Sequence, residues 1–266
     1  MTELTKRILF AVPAATLFIW LAWLGGVYFN AVMGLLAAGT IWEVGRLLKR
    51  SGRDLFLPAS YLIAGAIWFA GDLPDTVLIV FVAVLTLGTV AAFMFTKSGW
   101  SGKWLSTLFC AVYTTLGYYL AAGVRELGTG QDGFWLILAL FLMIWGNDVF
   151  AYFGGKNFGR RKLAPDISPN KTWEGFWFGF LGACTGAAIA WFMVEAFPIT
   201  LLQLLPAALI ASVTGPAGDL LESSMKRRAG MKDSSALLPG HGGLFDRFDA
   251  MILSAPFIYF YFTLFM

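Results

Sequence analysis

Residues 134–153 read FWLILALFLMIWGNDVFAYF, twenty residues in which Asp148 is the only formal charge. An α-helix rises about 1.5 Å per residue, so a helix of this length covers about 30 Å, the hydrocarbon thickness of a bilayer. A surface helix of a soluble domain would carry a polar stripe, and this run has none before Gly146-Asn147-Asp148. It reads as a membrane span with one carboxylate about a turn from its end. An ionisable group in that position is costly and marks a functional candidate.

The pattern recurs outward in both directions. Apolar runs at 8–24, 26–47, 57–71, 76–96, 104–123, 134–153, 174–195, 199–221 and 247–265 give nine expected spans. Composition agrees, because 58% of the 266 residues are apolar and 13% charged, where soluble domains carry about a quarter charged residues. Charge placement then orients the chain. With the N-terminus in the cytoplasm, every one of the 19 basic residues except Arg125 falls in a cytoplasmic segment, while the exterior loops hold Asp72, Asp75, Glu126, Asp132 and Glu195. This is the positive-inside asymmetry, and one middle span more or fewer would scramble it.

The expected fold is thus an all-α polytopic membrane protein of about nine transmembrane helices, with a cytoplasmic N-terminus and an exterior C-terminus. Residues 1–133 would form the N-terminal and middle spans, and 134–266 the C-terminal catalytic region with two cytoplasmic loops. Lys6-Arg7 before an apolar stretch has the look of a secretory signal, but no clear small-residue cleavage site follows, so a retained first span is expected. Cys110 and Cys184 lie inside apolar runs, which suits packing and argues against a disulfide framework or thiolate metal site.

The first three basic segments need no explanation beyond topology and anionic lipid. The last two interleave their cations with acids, serines, glycines and prolines. One runs from Asn147-Asp148 through Gly154-Gly155-Lys156 and Gly159-Arg160-Arg161-Lys162 to Ser168-Pro169-Asn170-Lys171-Thr172-Trp173-Glu174-Gly175. The Ser-Pro-Asn-Lys-Thr stretch can cap the following helix, with Glu174 in its first turn. The other begins at Gly218-Asp219, where Asp219, Ser223 and Lys226 stand at i, i+4 and i+7 and share one helix face. It continues through Lys232-Asp233 to Leu238-Pro239-Gly240-His241-Gly242-Gly243-Leu244-Phe245-Asp246-Arg247-Phe248-Asp249. Glycines there let backbone amides approach an anion. Asp246 and Asp249, at i and i+3, can face one metal or cap a helix. His241 is the sole histidine and by itself a poor indicator of catalysis.

The carboxylates Asp148, Asp219, Asp246 and Asp249 come from three helix ends on one membrane face, and oxygen-only ligands suit magnesium better than zinc. Lys171, Lys226, Lys232 and Arg247 stand ready for phosphate oxygens. No P-loop or dinucleotide fingerprint occurs, since Gly154-Gly155-Lys156 lacks the strand and spacing either requires.

The stretch Ser223-Ser224-Met225-Lys226-Arg227, then Lys232-Asp233-Ser234-Ser235 and Leu238 to Asp249, resembles the signature of the phosphatidate cytidylyltransferases, the CDP-diacylglycerol synthases, and fills its fixed positions. The segments around Asn147-Asp148 and Ser168–Gly175 look similar to that family too. The resemblance implies cytidylyl transfer from CTP to phosphatidic acid, giving CDP-diacylglycerol and pyrophosphate for phospholipid biosynthesis. It implies Mg2+, with a second cation as an option, and a homodimer; in the bacterial inner membrane the charge asymmetry would turn the site toward the cytoplasm. Its partners would be CTP, phosphatidic acid and membrane lipids, and not nucleic acid.

On that basis Asp219 and Asp246 are expected to hold the metal, with Asn147, Asp148 and Asp249 as additional or outer oxygen ligands. Lys226, Lys232 and Arg247 would bind the triphosphate or lipid phosphate. Ser223, Asp233, Gly242 and Gly243 would line the site, Ser168 and Lys171 would close it, and His241 would orient a phosphate. The rival within the superfamily is a CTP-dependent polyprenol or phytol kinase, which leaves no base on its lipid product. An ion-coupled transporter would show internal repeats and charges at mid-membrane, and neither is evident.

Overall fold

A computed structural model describes residues 3–70, 100–238 and 240–266. Its described helices are α1 (Glu3–Leu24), α2 (Gly26–Arg50), α3 (Leu57–Trp68), α4 (Trp100–Arg125), α5 (Asp132–Phe158), α6 (Trp173–Phe192), α7 (Leu201–Arg228) and α8 (Phe245–Phe262). One small antiparallel hairpin, β1 (Lys162–Ala164) with β2 (Ser168–Thr172), joins α5 to α6. The protein is an all-α polytopic membrane protein. Gly26–Arg50, Gly102–Arg125, Asp132–Phe158, Trp173–Phe192 and Leu201–Arg228 are each long and apolar enough to cross a bilayer. The expected span at 76–96 lies outside the described residues. That expected at 57–71 yields only the 12-residue α3, about 18 Å long and too short to cross alone.

Hydropathy ends a span, but hydrogen bonding ends a helix, which is why α7 runs past residue 221 to Arg228. Gly230 takes φ 65, and Met231 N–H donates to the Lys226 carbonyl (2.8 Å) and Gly230 N–H to that of Arg227 (3.1 Å). This is a Schellman stop, favoured by the three basic residues of the last turn. Arg125, the exception to the charge asymmetry, is not a loop cation at all. It closes α4, is 7% exposed, and donates through Nη2 to Gln131 Oε1 at 3.2 Å.

The chain forms two compact units, Met1–Tyr119 with Met225–Phe248, and Leu120–Ser224 with Asp249–Met266. The first has a core of Phe29, Met33, Ile41, Leu47, Phe109, Tyr113 and Phe245. Among its buried polar groups, Thr40 Oγ1 meets Tyr118 OH at 2.8 Å, and Phe56 N–H donates to Thr107 Oγ1 at 2.9 Å. The second unit rests on α5 against α6. Gly175, Gly179, Gly182, Ala183, Gly186, Ala187 and Ala190 are buried along α6. A methyl group placed on Gly146 would strike the Gly182 carbonyl, and one on Gly186 the Leu142 carbonyl. The two backbones therefore touch, as membrane helices do when small residues line their seam.

Candidate metal centre and phosphate-binding cleft

In the second unit α7 crosses the start of α8 at Gly218. A methyl there would overlap the Asp249 carbonyl oxygen and crowd Ala250 Cα, so only glycine permits this approach. The crossing brings carboxylates together: one oxygen each from Asp219, Glu222 and Asp249 lie within 4.8 Å of one another. Three hard oxygen donors gathered in this way can hold a metal cation, and none is the nitrogen or sulfur that zinc prefers. Asp219 is further held by Ser223, whose Oγ donates to Oδ1 (3.1 Å), and by Lys171, whose ammonium is 2.7 Å from Oδ2.

Asp219 and Lys171 also line a cleft of ≈ 560 Å³ with Asn147, Asp148, Lys156 and Lys162, a volume suited to a nucleotide-sized ligand. Three ammonium groups in one cleft favour a polyanion. Asn147 is 2% exposed, and its Nδ2 has no hydrogen-bond partner among the described residues. A buried donor of this kind is an invitation to a ligand acceptor.

Local structure explains how Lys171 arrives there. Lys162 pairs with Thr172 and Ala164 with Ser168 in the hairpin, with an irregularity between them. Thr172 then caps α6, its Oγ1 accepting from Gly175 N–H at 3.1 Å. Glu174 Oε2 accepts the amides of Arg160 (2.9 Å) and Arg161 (3.1 Å), pinning the other end of the loop. Lys171 is thus the residue before a cap, on a strand tied at both sides.

The first unit contains the glycine-rich segment 229–244 and the first turn of α8. Asp246 organises it. Oδ1 accepts from the Lys226 ammonium (2.7 Å), and Oδ2 from Ser234 N–H (2.9 Å), Ser234 Oγ (2.8 Å) and Gly243 N–H (2.7 Å). Gly242 has φ 80, and a methyl there would press on Asp246 Oδ2. Leu238 N–H donates to the Gly242 carbonyl (2.9 Å), His241 N–H to that of Leu238 (2.9 Å), and Arg247 Nε to that of His241 (2.8 Å).

A second carboxylate, Glu43 of α2, is 0% exposed. Its Oε1 accepts from Ser235 Oγ (2.6 Å) and Leu244 N–H (2.9 Å), and its Oε2 from Phe245 N–H (2.6 Å) and Ser234 Oγ (3.1 Å).

Of the residues expected from sequence, Asp219, Asp249, Ser223, Lys171, Asn147 and Asp148 all belong to the second unit; Asp219 and Asp249 share the acidic cluster, and Lys171, Asn147 and Asp148 line the cleft with Asp219. Lys226 and Gly243 meet Asp246 in the first unit, as does Ser234, to which the sequence reading assigned no role of its own. Lys232, Asp233 and Arg247 are exposed there, while Ser168 serves in the hairpin. Two acidic residues were missed. Glu222 had a visible signal, standing three positions after Asp219 on the same helix. Glu43 had only the oddity of an acid within an apolar run, with nothing local to name its partners some two hundred residues away.

Comparisons with known proteins give the chain's family. The chain is 35% identical to the phosphatidate cytidylyltransferase of Bacillus subtilis over 277 aligned residues, covering 100% of both chains. It is 32% identical to that of Brucella melitensis (100% of this chain, 95% of the relative) and 34% to that of Pseudomonas aeruginosa (88% and 87%). The model of the cytidylyltransferase family matches residues 5–265, and the chain belongs to that family.

Proposed function

We propose that this protein transfers the cytidylyl group of CTP to phosphatidic acid, releasing pyrophosphate and forming CDP-diacylglycerol, at the cytoplasmic face of a bacterial inner membrane. The observation that carries the chemistry is the acidic triad Asp219, Glu222 and Asp249, with Lys171 bound to Asp219 in a lysine-lined cleft. A phosphate oxygen of phosphatidate attacks the α-phosphorus of CTP. The bond from that phosphorus to the bridging oxygen breaks, and its electron pair leaves on pyrophosphate. The nucleophile is already an anion, so the residues need to position and neutralise rather than to remove a proton.

Bound magnesium would neutralise triphosphate charge and stabilise the leaving pyrophosphate. Asp219, Glu222 and Asp249 would hold it, with Asn147 and Asp148 as outer oxygen groups. Asp246, expected from sequence as a metal carboxylate, holds Lys226 and the glycine-rich segment in place within the first unit. Lys156, Lys162 and Lys171 neutralise phosphate in the cleft. Lys226, Lys232 and Arg247 serve the triphosphate or the lipid phosphate, with Ser168, Asp233, His241, Gly242 and Gly243 as substrate contacts. The catalytic region is 134–266, and the particle is a homodimer, which counting chains in nanodiscs would test.

Purified protein with CTP labelled in the base should label phosphatidate only when magnesium is present, and chelation should abolish the product. A labelled base excludes lipid kinase chemistry. Asp219→Asn protein should lose about 10²-fold or more in kcat; full turnover by a normally inserted variant refutes the metal assignment.

A further inference from the structure

Glu43 belongs to α2, far in sequence from every residue of the proposed chemistry, yet it is fully buried and accepts four hydrogen bonds from the segment 234–245. We infer that Glu43 is a positioning residue for cytidylyl transfer, fixing the glycine-rich segment and the first turn of α8 so that Asp246, Lys226 and Arg247 stand in catalytic register.

The physical case begins with the donors. Leu244 and Phe245 carry amides at the start of α8, which have no intrahelical partner and need a carboxylate or a capping side chain. Glu43 meets one with each of its oxygens and uses its other two acceptor positions on Ser234 and Ser235. The hydroxyl of Ser234 also reaches Asp246 Oδ2, so both carboxylates share a donor, and Asp246 in turn holds Lys226. Glu43 and Asp246 therefore hold the segment together, through separate amides and the shared hydroxyl of Ser234. Gly243 makes the arrangement feasible, since a methyl there would collide with Ser234 Oγ and the Glu43 carboxylate. Leu244 anchors it, for its side chain packs where a methyl on Gly39 of α2 would sit. All four partners of Glu43 are donors, so an amide in its place would turn a nitrogen onto one backbone N–H, and no rotation of the side chain avoids this.

The inference rests on the proposed cytidylyl transfer, and the test separates the two. Full-length Glu43→Gln protein is purified in detergent beside the wild type, and three things are measured: elution as a folded particle, hydrogen exchange of the 234–245 amides, and steady-state rates with CTP and phosphatidate. The variant should elute as the wild type, exchange the Leu244 and Phe245 amides about tenfold faster or more, and lose about 30-fold in kcat. A merely structural glutamate would lower yield and thermal stability but leave the folded fraction's kcat intact. A kcat within about threefold of the wild type, or unchanged exchange, overturns the inference.

Should Glu43→Gln fail to fold, Ser235→Ala removes one donor and leaves the carboxylate. It should lower kcat about 3- to 10-fold, and unchanged turnover overturns the inference equally. Absence of turnover in the wild type would instead defeat the cytidylyltransferase reading, and the exchange rates would then decide the hold of Glu43 on the segment.

Discussion

Gly218 offers the sharpest test of how the acidic cluster is assembled. A Cβ at that position would lie 2.5 Å from the Asp249 carbonyl oxygen, 3.1 Å from its carbon and 3.2 Å from Ala250 Cα. A carbon–oxygen contact needs about 3.3 Å, so Gly218→Ala must part α7 from α8 by roughly 0.8 Å. Backbone atoms supply the clash, and no rotamer change relieves it. A displacement near 1 Å at a reacting centre costs about 10² in rate, which is about 2.7 kcal/mol of transition-state stabilisation. Overpacking adds a stability loss of about 1–3 kcal/mol.

Gly215, one turn earlier on the same helix, provides the control. Its Cβ would meet only Ala250 Cβ at 3.8 Å and Ser254 Oγ at 3.9 Å, ordinary contacts, so Gly215→Ala should leave turnover in place. The assay is CDP-diacylglycerol formation from labelled CTP across a magnesium titration, normalised to folded protein. Gly218→Ala should lower kcat and raise the magnesium needed for half-maximal rate. If both alanine variants match the wild type, the close crossing does not set the geometry of the centre.

Two further outcomes follow from the second unit. Lys171→Met removes the ammonium 2.7 Å from Asp219; kcat/KM for CTP should fall about 10- to 100-fold, while stability changes by less than about 1 kcal/mol because both side chains are partly exposed. Equal loss of stability and activity would make the pair structural. Gly182→Leu should drive α6 off the Gly146 carbonyl and lower the thermal midpoint in detergent, with a loss of about 1–3 kcal/mol or more; an unaltered midpoint would contradict backbone contact between α5 and α6.

The sequence by itself determined the membrane class, since solvent preference is additive along the chain and long apolar runs recur through a chain with only 13% charged residues. It determined the chemical inventory too, because Asp219, Lys226 and the run from Leu238 to Asp249 are close enough in sequence to be read as a motif. Helix ends were less legible, as Gly230 and the Schellman bonds, rather than loss of hydropathy, stop α7. Only the tertiary structure decided which acids converge. Asp219 and Asp249 meet because Gly218 lets two helices touch, and Glu222 joins them through its place on α7. Asp246 was expected beside Asp219 as a primary metal ligand and Asp249 only as an additional one, yet Asp249 shares the cluster while the oxygens of Asp246 accept from Lys226, Ser234 and Gly243. Glu43 was invisible as a partner of the motif, because a carboxylate's role is set by the donors folding places around it, and a one-dimensional pattern records no distance between α2 and the start of α8.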